Sequence, residues 1–172
     1  MFTFRPLRVD DLPNVVAWQQ SPAAAPWFPK LTLAGAHERF GPRLDGRSPV
    51  RMLVLHRRGI NVGYAQLYRV ADLPPGDVIP AQASDVGVDF CIGLSTLIGQ
   101  GLGTILVQQL VELSHWMFPA ATGVVSCPDH RNHASRRVLE KNGFIPTLWF
   151  DSPADEGVET LVMHRREFQE LR

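Results

Sequence analysis

The order of elements along the 172-residue sequence predicts an α+β fold, in which a mixed, mostly antiparallel central sheet is flanked by helices. Three observations lead to this fold class: apolar and polar residues alternate at the start, a hairpin pattern follows, and strand–helix–strand patterns fill the second half. We find no repeat and no long linker, so we expect a single domain over residues 1–172.

The first half begins with a strand and two helices. Asp10 and Asp11 provide N-cap chemistry for the first helix, and Thr32 caps the second. Two strand-like runs then flank Arg58 and Gly59, which predicts a hairpin. The predicted elements are a strand over Phe2–Leu7, a helix that ends at about Gln20, a helix over Leu33–Leu44, and strands over Val50–His56 and Val62–Val70.

The second half alternates strands and helices. Apolar residues spaced three and four apart predict a long helix, and Gly143 follows a second helix as a natural C′ residue. The predicted strands are Val86–Gly93, Gly123–Cys127, Phe144–Phe150 and Glu159–Arg165, and the helices are about Gly103–Phe118 and Asn132–Asn142. The long helix should bury the face formed by Leu102, Ile105, Leu106, Leu110, Leu113 and Met117.

The composition is that of a globular protein, with 45% hydrophobic and 20% charged residues. Seventeen basic residues balance seventeen acidic ones, which gives no electrostatic reason to expect nucleic acid or a membrane as partner. The start of the chain has no apolar signal segment, and no apolar run approaches the roughly 20 residues of a membrane span. Two cysteines, Cys91 and Cys127, suit neither a disulfide framework nor a metal site. We therefore expect a cytoplasmic protein without a metal.

A glycine-rich stretch, "IGQGLGT" at 98–104, opens the long helix. The N-terminus of a helix carries unpaired N–H donors and about half a positive charge, and small residues let a phosphate reach them. The stretch lacks the full dinucleotide-binding pattern and the Lys-Ser/Thr of a triphosphate-binding loop. It therefore indicates either an ordinary turn or a site for a different phosphate-bearing cofactor.

Several motifs resemble the GNAT superfamily of acyl-coenzyme A N-acyltransferases. Residues 98–103 resemble its R/Q-x-x-G-x-G/A motif, although Ile98 stands where Arg or Gln is usual. "NHASRRVLEKNGF" (132–144) resembles its N-x-x-A/S-x-x-x-Y/L-E-K-x-G-F helix, and "FRPLRVDDLPNVVAW" resembles its opening. The segments "GYAQLYRV" and "GVDFCIG" are most similar to the aminoglycoside 6'-N-acetyltransferase branch, which also lacks Arg or Gln at that first position.

The resemblance implies acetyl-coenzyme A (acetyl-CoA) as cofactor, in a cleft where the fourth and fifth strands splay apart. Backbone groups of Cys91 and Ile92 would hold the pantetheine arm, as in strand addition. The resemblance also implies a cofactor contact for Asn132, which from its position alone is an N-cap; the two roles are compatible. The residues expected to bind the diphosphate are Gln100, Gly101, Leu102, Gly103 and Thr104.

Asp89 is the candidate general base. It interrupts an apolar strand, where a carboxylate costs free energy unless it is paired or functional. Acyl transfer needs a neutral amine, and a carboxylate near the thioester could take the proton directly or through water. An acid at the matching position has that role in the aminoglycoside branch. The alternative is an Asp that is ion-paired with an Arg or opens onto solvent.

The roles of the two cysteines and the proton donor for the leaving thiolate follow less directly from the sequence. Cys91 and Cys127 are interpreted as small buried hydrophobes rather than nucleophiles, since direct transfer needs no covalent intermediate. Leu139 stands where many relatives have a Tyr that protonates the leaving thiolate. Water or the hydroxyl of Ser135 could replace it, and nothing in the sequence decides between them.

The acceptor is expected to be a small-molecule amine. Gln66 and Tyr68 match residues that line the acceptor site in the aminoglycoside branch, and Trp27 and Asp129 are further candidates. A polycationic aminoglycoside needs an acidic site, but Cys127 stands where an acid is expected. The acids that could contribute are Asp77, Asp85, Asp129, Asp155 and Glu156.

Three functions remain open on the sequence. The first is an acetyl-CoA-dependent N-acetyltransferase acting on a primary amine of an aminoglycoside, a siderophore precursor or a peptide. The second is a non-catalytic acyl-CoA-binding sensor or partner domain, which Leu139 favours and Asp89 disfavours. The third is an unrelated α/β binding protein. A homodimer is left open.

Overall fold

The computed structural model describes residues 1–74, 79–154 and 157–168. Over these residues it confirms the predicted α+β class, with four α-helices and a seven-stranded sheet. The helices are α1 (Leu12–Gln19), α2 (Leu33–Leu44), α3 (Leu102–Met117) and α4 (His133–Lys141). The strands are β1 (Thr3–Pro6), β2 (Arg51–Arg57), β3 (Ile60–Arg69), β4 (Asp85–Ile92), β5 (Gly123–Ser126), β6 (Ile145–Ala154) and β7 (Gly157–Glu167).

The sheet is mostly antiparallel, as predicted. Its strand order is β1-β2-β3-β4-β5-β7-β6. The pairs β1–β2, β2–β3, β5–β7 and β6–β7 are antiparallel, whereas β4 and β5 are parallel. Parallel neighbours need a crossover connection, and α3 provides it between β4 and β5.

The chain folds as two compact units, Met1–Leu67 with Asp89–Leu102 and Tyr68–Val88 with Gly103–Arg172. In the first unit, Trp18 of α1, Phe40 of α2 and Tyr64 of β3 are each at most 4% exposed. These large side chains give the unit an aromatic core. In this unit α2 begins after Thr32, whose Oγ1 accepts a hydrogen bond from the Gly35 N–H at 3.0 Å, so the predicted cap is confirmed.

The second unit has an aliphatic core. Its fully buried side chains include Val86, Leu106, Leu110, Val124, Leu139 and Val162. The predicted buried face of α3 is partly wrong, because Ile105 is 40% exposed while Val107 and Val111 are buried. The buried face of α3 contains neighbouring residues in each turn, such as 106 with 107. Its centre is therefore rotated around the helix away from Ile105. Among the described residues, no helix is long and apolar enough to cross a membrane.

The end of the chain differs from the prediction. The loop expected after Phe150 is instead strand, since β6 continues to Ala154 and β7 begins at Gly157, and these two residues are paired. Strand β6 is an edge strand, and an edge strand tolerates a residue such as Pro153 that cannot donate to the ladder. Pairing with β7 therefore keeps residues 151–154 in a strand, although Asp, Ser and Pro are residue types that favour turns.

Candidate active site

Strand β4 changes from fully buried to half-buried at Asp89. Residues 85–88 are buried, whereas Asp89 and Phe90 are half-buried. Asp89 therefore keeps part of its surface in contact with solvent, although Cys91 further along the strand is buried again. This position suits an acid that reacts with a ligand better than one that only stabilises the fold.

Two contacts show which residue of β3 lies opposite Asp89. The Gly93 N–H donates to the Val62 carbonyl at 2.9 Å, and the Tyr68 ring covers Gly87 so closely that a Cβ there would lie 2.2 Å from it. On antiparallel strands, one step forward along β4 corresponds to one step backward along β3. Counted in this way from either contact, Gln66 lies opposite Asp89. Opposite residues project from the same face, so these two predicted site residues are brought together.

A buried tyrosine lies next to this pair. Tyr64 is 2% exposed, and its hydroxyl accepts a hydrogen bond from Gln19 Nε2 at 2.6 Å. Burial raises the pKa of Tyr64 far above its usual value, and the charges of Cys91 and Asp89 raise it further. Tyr64 therefore stays a neutral phenol that can donate a hydrogen bond on the Asp89 side of the strand.

A residue of α2 also contacts Gln66. Arg43 of α2 donates through Nη1 to Gln66 Oε1, and the Arg43 guanidinium lies 5.5 Å from the centre of the Phe40 ring. Gln66 is 8% exposed. The predicted acceptor residue is thus a mostly buried amide with a defined charged partner.

Cys91 has the properties of an inert thiol. It is 4% exposed, and burial raises its pKa to about 12. Because the thiolate is the nucleophile, this supports the interpretation of Cys91 as a small buried hydrophobe. Cys127 is half-buried just after β5, and neither cysteine forms a disulfide.

The turn before α3 suits the approach of an anion. Gly99 and Gly101 have φ of +77° and +75°, and a Cβ at either position would meet nothing within 4 Å. Gln100 is exposed, with its Nε2 bound to the Thr96 carbonyl at 2.7 Å. The open backbone stands directly before the helix donors that begin at Leu102, so the site fits the diphosphate of a coenzyme A molecule.

Gly103 has a different explanation. A Cβ there would lie 3.1 Å from Val138 Cγ2 of α4, so this glycine allows the start of α3 to pack closely on α4. Packing on α4 is thus a second reason for a glycine here, and the expectation that it makes room for the diphosphate stays a prediction. Thr104 also takes part in this packing, since its carbonyl accepts from Asn142 Nδ2 at 3.1 Å.

Helix α4 begins with the predicted cap. Asn132 Oδ1 accepts from the Ser135 N–H at 3.0 Å, and Gly143 ends the helix with φ of +79°. Leu139, at the position of the usual Tyr, is 1% exposed. It therefore supplies no proton donor.

Two of the five acids expected to attract a polycation are ion-paired with arginines. Asp129 is 9% exposed and binds both Nε and Nη2 of Arg131, at 3.0 and 2.8 Å, and Arg131 holds the pKa of Asp129 below its usual value. Asp85 is fully buried and bound to Arg165. The expectation that Asp85 contributes acidity to an acceptor site is therefore wrong. Asp77, Asp155 and Glu156 lie outside the described residues.

The other predicted residues are placed as follows. Trp27 is half-buried in a short 3-10 turn, and Tyr68 is half-buried on β3. Trp18 belongs to the core, packed against Gly93. Within residues 1–74, 79–154 and 157–168 no cluster of His, Cys, Asp or Glu is arranged to hold a metal ion.

Sequence reasoning missed Tyr64, Gln19 and Arg43. The alternation along β3 could have identified Tyr64, because it is on the same face as Gln66 and two residues away. No local signal indicates Gln19 or Arg43, since each comes from a helix distant in sequence from its partner.

Comparisons with known proteins agree with this architecture. Residues 8–151 match the family model described as an acetyltransferase (GNAT) domain. The crystal structure of aminoglycoside acetyltransferase AAC(6')-Ib in complex with coenzyme A and kanamycin superposes with a TM-score of 0.84 at 26% identity, over 97% of this chain and 95% of that chain.

Two curated relatives are similar at the same level of identity. The lysine N-acyltransferase MbtK of Mycolicibacterium paratuberculosis is 29% identical over 143 residues, which cover 83% of this chain and 64% of that protein, slightly less than two thirds of its length. The aminoglycoside N(6')-acetyltransferase type 1 of Klebsiella pneumoniae is 29% identical over 177 residues, which cover 99% of this chain and 86% of that protein.

Proposed function

Because this chain belongs to the GNAT family of acetyltransferases, whose enzymes use acetyl-CoA, we propose that it transfers an acetyl group to a primary amine of a small molecule. The observation that carries the proposal is that the half-buried Asp89 of β4 lies opposite Gln66 of β3. A carboxylate and an amide on one face, beside a buried phenol, form a polar site suited to an amine.

Asp89 acts as the general base. A primary alkyl amine has a pKa of about 10 and is protonated at neutral pH, so it has no lone pair for attack. The Asp89 carboxylate first binds the ammonium group and then takes one of its protons, directly or through water. The amine nitrogen becomes the nucleophile, and bound acetyl-CoA supplies the activated acetyl thioester.

The cofactor is held by main-chain groups and a few side chains. We assign the diphosphate to the turn and helix start at Gln100, Gly101, Leu102, Gly103 and Thr104, and the pantetheine arm to the backbone of Cys91 and Ile92. The left-handed, open glycines at 99 and 101 support this assignment. Asn132 contributes to cofactor binding while it caps α4.

We assign Gln66 and Trp27 to the acceptor site, and Tyr68 and Asp129 stay predicted acceptor residues. The named relatives act on lysine and on aminoglycosides, and for this chain an aminoglycoside, a siderophore precursor and a peptide remain candidates. The ion pairs of Asp85 and Asp129 weigh against a highly cationic acceptor.

An amine-panel assay that detects released thiol tests the proposal. Incubation with acetyl-CoA and representatives of each amine class should release coenzyme A with at least one of them. The buried, apolar Leu139 favours a second candidate, an acyl-CoA-binding module without catalysis. Binding of acetyl-CoA in calorimetry without thiol release from any amine would establish that module and overturn the transferase.

We further propose that residues 1–172 act as one GNAT domain and that the protein is cytoplasmic. The first is supported by the family model, which spans residues 8–151, and the second by two cysteines that form no disulfide. Limited proteolysis and cell fractionation test them: stable subfragments, or recovery outside the cytoplasm, would contradict them.

A further inference from the structure

One tryptophan is far more exposed than tryptophans usually are. Trp116, on the last turn of α3, is 79% exposed, whereas tryptophan is mostly buried in native proteins. The residue before it anchors this end of the helix, since the His115 and Phe168 rings pack with 4.9 Å between their centroids. A large apolar ring is thus presented to solvent from a helix end that is held in place.

The chain leads from Trp116 directly into an apolar pocket. Met117, Phe118 and Pro119 line this pocket together with several alanines and Arg69, and its volume is about 280 Å³. An apolar cavity of about 150 Å³ is enough to bind benzene, so an indole ring fits here. Trp116 is not one of the lining residues, so the ring does not fill the pocket of its own chain.

The ring and the pocket belong to one surface, residues 116–121, which we call the Trp116 patch. Pro119 and Ala120 of this patch are exposed, and exposed apolar surface of this kind often marks an interaction site. An interface with two-fold symmetry uses the same surface on both copies, so that surface must be complementary to itself. A patch that carries both a projecting ring and a pocket meets this condition, because each ring can enter the pocket of the other copy.

The charges beside the ring and the pocket are also complementary. Glu112 is exposed and lies four residues before Trp116, hence on the same face of α3; among the described residues it accepts a hydrogen bond from Gln108 at 3.3 Å and forms no ion pair. Arg69 binds Asp72 through Nε and Nη2, at 2.8 and 2.7 Å, so its Nη1 donors have no partner in the described part of the chain. A Trp116 ring in the pocket of a second copy brings Glu112 towards Arg69 of that copy.

We propose that two copies of this chain associate through the Trp116 patch, with Trp116 of each copy in the pocket of the other. Tryptophan and arginine are among the residue types that dominate binding energy at interfaces, and Arg69 can also stack on the indole face. The patch is small, and small interfaces belong to weak or transient complexes. The dimer therefore forms at micromolar or higher protein concentration.

Sedimentation velocity over a concentration series tests this inference. The wild type should change from monomer to dimer as the concentration rises from micromolar to near-millimolar. Trp116→Ala should weaken the association by about thirtyfold, the effect typical of an anchor residue at an interface. Trp149→Ala is the matched control, because Trp149 is also an exposed tryptophan, at 55%, but lies on β6. It should leave the association unchanged.

Two further variants test the pocket and the charges. Ala120→Phe adds a ring to the pocket lining of its own chain and should weaken the association about as much as Trp116→Ala, although Trp116 is still present. Glu112→Arg places a cation where the acid would meet Arg69 of the other copy, and it should weaken the association by about threefold, as expected for an exposed ion pair.

A wild type that stays monomeric over the whole series overturns the inference, and so does a dimer that neither Trp116→Ala nor Ala120→Phe weakens. Dissociation by Trp149→Ala alone would also contradict it, because the contact would then lie at β6. Thermal unfolding confirms that each variant is folded, and Trp116→Ala decides alone if Ala120→Phe does not fold. Sedimentation needs no substrate, so a failure of this inference and a failure of the proposed function are distinguishable.

Discussion

Asp85 and Asp89 lie on the same strand, β4, in opposite surroundings. Asp85 is fully buried, and Arg165 donates to its two oxygens at 2.9 and 3.0 Å. Asp89 is half-buried and lies opposite Gln66. It is also close enough to Tyr64 for its charge to raise the pKa of the Tyr64 hydroxyl. Asp85 is therefore held by an arginine in the core, whereas part of Asp89 stays exposed to solvent.

The degree of burial decides where on a strand an acid can react with a ligand. A carboxylate in the core must be fully compensated by a partner, and its charge is then no longer available. A half-buried carboxylate keeps contact with solvent. Asp85 shows the arrangement of an arginine-paired structural acid.

The largest expected effect is on stability and comes from Asp85→Asn. It removes one member of a buried ion pair and leaves Arg165, whose side chain is 12% exposed, without its main partner. We expect the free energy of unfolding to fall by about 3–5 kcal/mol, measured by urea denaturation. A loss below about 1 kcal/mol would show that Asp85 is not the structural acid of the pair.

A smaller effect on stability is expected at the start of α3. There, a side chain added at Gly103 would meet Val138, whereas one added at Gly101 would meet nothing within 4 Å. Gly103→Val should cost about 1–3 kcal/mol, because the new side chain overpacks against Val138. Val138→Ala should recover part of that loss in a double-mutant cycle. Gly101 has a φ of +75°, so Gly101→Ala should cost about 1 kcal/mol or more of backbone strain, and the added methyl group should also weaken acetyl-CoA binding. Equal loss of affinity in both variants would contradict this division.

The pH dependence of stability should reveal another paired acid. Arg131 holds the pKa of Asp129 below its usual value of 3.8. A carboxyl with a lowered folded-state pKa stabilises the protein above its unfolded pKa, and this contribution is lost as the pH falls through the folded value. Below about pH 4, the wild type should therefore lose more stability on acidification than Asp129→Asn does. Parallel curves would show that the Arg131 pair contributes nothing.

The smallest effect is expected at Cys91. If the chemistry belongs to Asp89, replacing the buried thiol by Ala should leave kcat within about threefold, since a thiol with a pKa of about 12 is not ionised at neutral pH. A loss of activity in a folded Cys91→Ala enzyme, measured by an amide-product assay, would transfer the chemistry from Asp89 to the cysteine.

Local signals account for the parts of the fold that the sequence predicted well. Helix α2 has the predicted bounds because Thr32 caps it, and α4 lies between Asn132 and Gly143 as expected. These elements depend on residues within one turn of their ends. The α+β class was predictable for the same reason, since each of its elements follows a short pattern.

The contacts that assign roles were not predictable. Asp85 meets Arg165, Gln66 meets Arg43, and Gly103 meets Val138 through packing between elements distant in sequence. No local pattern marks one carboxylate of β4 as fully buried in an ion pair and the other as half-buried. The sequence identified Asp89 as unusual in its strand, and the three-dimensional arrangement was needed to exclude Asp85.

The most direct test is thiol release by Asp89→Asn and wild-type enzyme, with the best amine of the panel and with acetyl-CoA affinity measured in parallel. Asparagine keeps the shape of the side chain but cannot accept the proton. We expect kcat/KM to fall by about two orders of magnitude or more, with unchanged acetyl-CoA affinity and unfolding temperature. Turnover equal to that of the wild type would contradict the assignment of Asp89 as the base.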